Sequence, residues 1–376
     1  MSCRPRCPAG RIRLACVLLL HAGLAAGADR IILVDGTEVE GTVTSLAPND
    51  IEIASGRGAA AERITIAAVH EVRFEDEPES LASSRVLLQR RDARAALDEL
   101  AKILPVELQE GVVGPRVRQE YEYLKTAAAA LAADPAGAAA ATAAFAAFLD
   151  RNARSHHFYE GQELLGDLLA AAGNPDGAMA AYRQLDLGPP ALRVRSANLR
   201  AELLVRQEND AGAVREFAAA VAIPPPEVTA EDSDGEQRAA RLALARYESE
   251  RSTAALGRAR CLARTGRAAE AITAVRDVIL AADPEDRALL AAAYGSLGEC
   301  QKDAPGSETD ALISYLTVDL VYNTVPEWHA RALFNLVELW QASNQPERSR
   351  QAAAMLRSTY PESPWTKRLT GGDDAS

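Results

Sequence analysis

The scarcest reagents in this chain are imidazoles and thiols: 5 His and 5 Cys among 376 residues. A metal ion or a general base needs such groups at set spacings. His156 and His157 are adjacent, so on a helix their side chains diverge by about 100° and cannot share one ion, which predicts solvent-exposed or turn histidines. His70 falls in a strand and His329 at a helix start, neither in a ligand spacing. Asp232-Ser233-Asp234-Gly235-Glu236 has the outline of a calcium loop, but the third oxygen donor before the glycine and the glutamate six residues after it are missing. Gly56-Arg57-Gly58-Ala59-Ala60-Ala61 fits a dinucleotide fingerprint, yet a strand, Glu62-Arg63-Ile64-Thr65-Ile66, follows where the pyrophosphate needs a helix N-terminus. A hairpin loop is expected there instead. No G-x-S-x-G, H-E-x-x-H or P-loop occurs. These residues predict no catalytic centre, no cofactor and no metal, hence a chain that is not an enzyme.

Composition and charge exclude more. The chain is 48% hydrophobic and 25% charged, ordinary for a globular protein, but only 5% aromatic, and alanine makes up roughly a fifth of it. A net charge of -12 removes the basic footprint that nucleic-acid binding requires. The first 28 residues carry Arg4, Arg6, Arg11 and Arg13, an apolar run from Leu14 to Leu24, and Ala26-Gly27-Ala28 ahead of Asp29, the layout of a cleaved signal peptide. The apolar run is interrupted by His21 and falls short of the roughly 20 residues a membrane span needs. We therefore expect a chain exported to the periplasm or cell envelope, without a membrane segment once the leader is removed. Losing those four arginines moves the net charge from -12 to -16. Cys3, Cys7 and Cys16 leave with the leader. Cys261 and Cys300 are expected as buried free thiols, because they occupy equivalent positions of successive helices whose axes lie about 8–10 Å apart, while a disulfide wants Cα atoms within about 7 Å.

The elements that must position any site fall into two kinds. From residue 29 to 77, five short β-branched runs alternate with period two, which predicts a small five-stranded barrel or sandwich. Val39, Gly41, Val43, Ile51, Ile53, Ile64, Ile66, Val72 and Phe74 should face inward; Glu38, Glu40, Glu52, Thr65, Glu71 and Arg73 should face outward. Fewer than 50 residues bury too little surface to stand alone, so Phe74, Leu81 or Val86 should dock this module onto its neighbour. After Pro78, apolar residues recur at three- and four-residue spacing, the helical period. Residues 78–157 read as irregular helical repeats and 158–370 as regular ones. An acidic, proline-rich loop interrupts them at 224–236, a long helix follows from Gln237 to about Arg264, and a disordered tail is expected at 371–376.

In the regular region Leu165-Gly166, Leu169, Gly173, Ala178, Tyr182 and Pro190 recur in outline as Ala201, Leu204, Ala213, Phe217, Ala220 and Pro225, then as Ala259, Leu262, Gly266, Ala271, Val278 and Pro284. Leu297-Gly298, Ala311 and Tyr315 make a fourth copy, and Leu336, Trp340, Leu356 and Pro361 a fifth. This pattern resembles the tetratricopeptide repeat (TPR) family, a helix-turn-helix unit of about 34 residues. The fold class it implies is mainly α, a TPR-like α-solenoid of antiparallel helix pairs, here with a small N-terminal all-β module whose opening is similar to SH3-like and Sm-like barrels. The tryptophan position of the family is never Trp, and Val337 and Ser349 stand where small residues are usual.

Carried over from the family, the concave groove would be lined by Glu160, Glu163 and Asp167; by Arg195, Asn198, Glu202 and Arg206; by Arg260 and Arg264; by Glu299, Lys302 and Asp303; and by Arg331, Phe334 and Glu338. The resemblance implies a protein or peptide partner, and four arginines in mid-groove suit an acidic or carboxylate-bearing one. The same four satisfy a second arrangement, a salt-bridge lattice with Glu163, Asp167 and Glu202. The expected function is a non-catalytic interaction scaffold of the bacterial cell envelope. The alternatives are an accessory-domain protein or an enzyme acting on cell-wall or other polymers, or a solenoid that merely spaces a binding β module.

Overall fold

The computed structural model describes residues 28–56, 59–229 and 233–373. The expected signal peptide up to residue 27, the centre of the Gly56–Gly58 loop, Asp232 of the calcium-like loop and residues 374–376 of the expected tail lie outside the described residues.

The β-branched runs form β1 (Asp29–Leu33), β2 (Glu38–Leu46), β3 (Asp50–Ala54), β4 (Glu62–Thr65) and β5 (Val69–Arg73) in one antiparallel sheet of order β4-β3-β2-β1-β5. The expected strand Glu62–Ile66 ends one residue early, because Ile66–Ala68 turn as a 3-10 segment that hands the chain from one edge strand to the other. A register shift between Val43 and Ser45 bends β2, which both halves of the sheet share. Val43, Ile51, Ile53, Ile64, Val72 and Phe74 are buried as expected, whereas Val39, Gly41 and Ile66 are half-buried. Glu71 reverses its expectation. It is buried rather than outward, because it pairs with Arg73 and Arg85 at the junction with the helices.

Among the described residues fifteen α-helices follow: α1 (Glu79–Gln89), α2 (Ala93–Leu100), α3 (Pro115–Ala132), α4 (Ala138–Arg151), α5 (Phe158–Ala171), α6 (Pro175–Arg183), α7 (Pro190–Arg206), α8 (Asp210–Ala222), α9 (Asp234–Arg264), α10 (Ala268–Ala281), α11 (Arg287–Lys302), α12 (Glu308–Val321), α13 (Pro326–Ala342), α14 (Pro346–Thr359) and α15 (Pro364–Asp373). They pack as successive antiparallel pairs, each against the next. Starts are set by proline in the first turn of α3, α6, α7, α13 and α14, and by side-chain caps from Asp92, Asn174, Asn209 and Asp286. Tight turns between paired helices place Gly173 at φ 75 and Gly266 at φ 84, the left-handed region glycine enters freely. Arg91, Glu208 and Asn344 occupy the same kind of turn at φ 63, 60 and 55.

Small residues let the pairs close. A Cβ on Gly166 would lie 2.3 Å from the ring of Tyr182, one on Gly257 2.4 Å from Phe217, and one on Gly298 2.8 Å from Tyr315. Ala178, Ala213, Ala271 and Ala311 beside them are fully buried. Cys261 and Cys300 are buried free thiols.

α9 departs most from a repeat. It runs 31 residues, starting three residues before Gln237 because Ser233 and Glu236 form a capping box: the Ser233 hydroxyl accepts from the Glu236 amide at 3.2 Å, and Glu236 accepts from the Ser233 amide at 3.0 Å. Its second half packs with α7, α8, α10 and α11 as a repeat helix. Its first half braces the sheet: Arg238 donates to Thr37 Oγ1 at 2.6 Å, Arg246 to the Ala67 carbonyl at 3.4 Å, and Glu236 accepts from the Arg63 amide at 2.9 Å. On its other side the sheet meets α3 and α5, where Arg116 binds the Val43 and Thr44 carbonyls and the Tyr159 hydroxyl donates to Asn49 at 2.8 Å. Phe74 and Leu81 join one continuous core running from the sheet into α1–α5; Val86 stays half-buried. α15 continues to Asp373, into the stretch expected as tail. Among the described residues no helix is long and apolar enough to cross a membrane.

Candidate functional site

Where the sheet lies over α3 and α5, a cavity of about 600 Å³ remains. β5 and α1 wall one side, α3 and the turn before α5 the other, and Leu192 of α7 and Arg246 of α9 reach its rim. Glu160, Glu163 and Asp167, the groove positions of the first repeat, line it. The chain's own β module therefore walls a cavity that these groove positions border, with Glu160 and Asp167 still exposed.

The cavity is built on a buried charge network. Arg85 donates to Glu120 Oε1 at 2.7 Å and to both oxygens of Glu77 at 2.8 and 2.6 Å, and lies 3.6 Å from Glu71, which also takes Arg73 at 2.7 Å. The other oxygen of Glu120 meets His157 Nε2 at 2.6 Å and lies 3.7 Å from His156 Nε2. His157 Nδ1 points to Glu160 at 3.2 Å, and its ring stacks on Tyr123 with centroids 3.8 Å apart. Burial alone would neutralise Glu120, but His157 and Arg85 hold its carboxyl well below the usual range. Burial likewise opposes charge on His157, and the Glu120 carboxylate outweighs it, raising the imidazole above its ordinary value. Burial and the neighbouring charge of His157 push His156 down, and the Glu120 carboxylate 3.7 Å away does not offset them. Both of its ring nitrogens are buried without a hydrogen-bond partner.

Two expectations are corrected here. His156 and His157 do sit in a turn, but they are enclosed rather than solvent-exposed, with side chains 8% and 12% accessible. Nor do they diverge beyond sharing an ion. The turn ahead of α5 is not helical at these residues, so the rings lie 3.9 Å apart and their nitrogens, with a Glu120 oxygen, all fall within 4.8 Å of one another. No sequence spacing reveals this, since Glu120 is 36 residues upstream of His156 on another helix. Its one signal was a charged residue on the apolar face of α3, beside Tyr123 and Leu124.

The remaining groove positions run along α7, α9, α11 and α13. Arg195 binds Glu163 at 2.7 Å and approaches Glu250 at 3.9 Å. Asn198 is buried and donates to the Glu250 carbonyl and carboxylate at 2.9 and 2.8 Å. Asp167 accepts from the Tyr182 hydroxyl at 2.7 Å. Arg260 donates to Ser296 at 2.9 Å and lies 3.8 Å from Glu299, which also pairs with Arg331. Arg264 grips Asp210 through Nε at 3.0 Å to each oxygen. Lys302 joins Asn335 and Glu338 at 2.8 and 2.7 Å. Three of the four mid-groove arginines thus carry internal partners. Arg206 is exposed and makes no direct ion pair among the described residues; nearby Glu202 has its carboxyl raised by burial despite the charges of Arg195, Arg206 and Arg260.

Sequence reasoning placed Arg331 and Phe334 at the end of this stripe but missed Trp328 and Trp365 beside them. Arg331 lies 4.9 Å from the Trp328 ring and 5.2 Å from that of Trp365, Arg260 lies 5.7 Å from Trp328, and Phe334 packs on Trp365 at 5.3 Å. These are half-buried rings with guanidinium groups across their faces.

No protein-family model matches the chain, and no curated protein does. Among solved structures it is similar to a tetratricopeptide repeat protein from Parabacteroides merdae, with a TM-score of 0.50 and 16% identity over 77% of this chain and 96% of that one. The Rap protein complexed with competence and sporulation factor is similar at a TM-score of 0.47 and 14% identity, over 77% of each chain. The apo form of the quorum sensor NprR from B. thuringiensis is similar at 0.46 and 13%, over 74% of this chain and 86% of that one. The first of these, with the fifteen helices and the five-stranded sheet, makes this chain a TPR-like α-solenoid carrying a small N-terminal β module.

Proposed function

We propose that the protein is a non-catalytic interaction scaffold of the bacterial cell envelope, exported by its N-terminal leader and holding a protein or peptide on the concave stripe from α7 to α13. The observation that supports this is a run of groups from exposed Arg206 and nearby Glu202 through Arg260, which lies 5.7 Å from the Trp328 ring, to the Phe334 and Trp365 rings. A segment bearing a carboxylate would meet Arg206 and lay apolar side chains on the rings, the combination of charge steering and aromatic anchoring that interfaces use. Because Arg195, Arg260 and Arg264 are committed to internal pairs, the acidic part of the partner is read mainly by Arg206.

The test is site-specific photo-crosslinking in the native envelope. A crosslinker at position 206 should give a discrete adduct that Trp328→Ala weakens, while one at Leu280, an exposed residue of α10, should give none. Equal adducts from both positions would refute the groove. Export is tested by fusing alkaline phosphatase after residue 376: activity that depends on residues 1–28 supports it, and activity retained without them refutes it.

A further inference from the structure

We infer that Glu120, His156 and His157 form a binding site for one divalent transition-metal ion of the zinc class, with Glu160 as the outer group that orients His157. This stands apart from the scaffold reading and from the concave stripe.

The argument is geometric. Tetrahedral ligands about 2.0–2.1 Å from zinc sit about 3.3 Å from one another. Glu120 Oε2 lies 2.6 Å from His157 Nε2 and 3.7 Å from His156 Nε2, which brackets that separation, and the three ligand atoms are mutually within 4.8 Å. His156 is 8% exposed, and neither nitrogen has a partner. A buried polar ring pays for lost hydration unless something binds it, so an unpartnered imidazole aimed at a carboxylate and a second imidazole marks a missing ligand.

The surroundings fit the same occupant. His157 presents Nε2 to the centre and directs Nδ1 to Glu160 at 3.2 Å, the carboxylate–histidine arrangement that fixes the tautomer of a metal-bound imidazole. Arg85 holds the far oxygen of Glu120, leaving the near one to the site. Among the described residues Glu71, Glu77 and Glu120 pair with Arg73 and Arg85 while Glu160 pairs with His157, so with neutral imidazoles the four carboxylates exceed the two guanidinium groups by two charges, those of a divalent ion. Two imidazoles and one carboxylate favour zinc or its neighbours over calcium or magnesium, which take oxygen. All three ligands line the cavity, so the fourth position opens into it and is filled by water.

The experiment uses the full chain purified without a polyhistidine tag. Titration with Co2+ should give one ion per chain, with visible absorption of tetrahedral intensity, and Zn2+ should displace it with loss of that band. His156→Phe, which preserves bulk, should abolish the band. Glu160→Gln changes a side chain that is 71% exposed, so it leaves the fold intact, and it should weaken Zn2+ binding by about 10- to 100-fold. Absence of the Co2+ band in the unaltered chain, or unchanged Zn2+ affinity in Glu160→Gln, would overturn the site. So would a His156→Phe protein that folds and still takes up one Co2+.

Discussion

At the scale of single residues, the structure concentrates its risk in one guanidinium. Arg85 is 5% exposed and answers Glu77, Glu120 and Glu71 at once. Removing it strands carboxylates in the core, so Arg85→Ala should lose about 3–5 kcal/mol in urea unfolding, while a surface pair such as Arg350–Glu347 should give under about 1 kcal/mol. The two thiols behave oppositely, as inert filler. Burial pushes Cys261 up to about 11 and Cys300 up to about 12. Both stay protonated at pH 8, and iodoacetamide should label them only after unfolding; fast labelling of the folded chain would contradict this. Since the folded values lie above the ordinary 9.0, the stability these groups confer is complete below about pH 9 and is lost as pH rises through 11 to 12. The thiols could be read from the sequence because their repeat positions fixed their depth. Glu71, Glu120 and the histidine pair could not, because a buried charge is legible only once its partner is known, and each partner comes from a different element.

At the scale of helices and turns, the repeat is a matter of clearance. Gly166, Gly257 and Gly298 stand where an aromatic ring from the paired or preceding helix needs the space of a methyl group. Gly257→Ala should therefore overpack against Phe217 and cost about 1–3 kcal/mol, as should Ala271→Leu; an unchanged melting temperature in either would show that the crossing has slack. Turns offer a gain instead. Glu208 holds φ 60, a conformation that costs a side-chain-bearing residue about 1–2 kcal/mol, and Glu208→Gly should raise stability by about 0.5–1 kcal/mol after the glycine's extra chain entropy is counted. The five regular copies were visible in the sequence because alanine, glycine and aromatic positions recur. The α1–α4 region was not, since Glu120 and a run of alanines in α3 and α4 replace the spaced signature. The early start of α9 was hidden by a proline-rich approach that reads as loop up to its capping box.

For the whole molecule, the sheet and the solenoid share a core. Ile31, Ile51, Ile53, Ile64 and Phe74 belong to the same buried cluster as Leu124, Phe145 and Leu165. Residues 29–77 expressed alone should show no cooperative thermal transition, whereas the full chain should melt sheet and first repeats together; an independently melting fragment would make the module a separate body. The first-repeat end of the expected groove accordingly borders a cavity walled by the sheet, an arrangement that no periodicity within the helices could announce.

The 31 residues of α9 make a continuous rod about 46 Å long, with the sheet fastened to one end and the concave stripe built into the other. The sheet and the stripe around Arg260 thus share one helix axis: Arg260 meets Ser296 near one end, while Arg238 and Arg246 hold the sheet at Thr37 and Ala67 near the other.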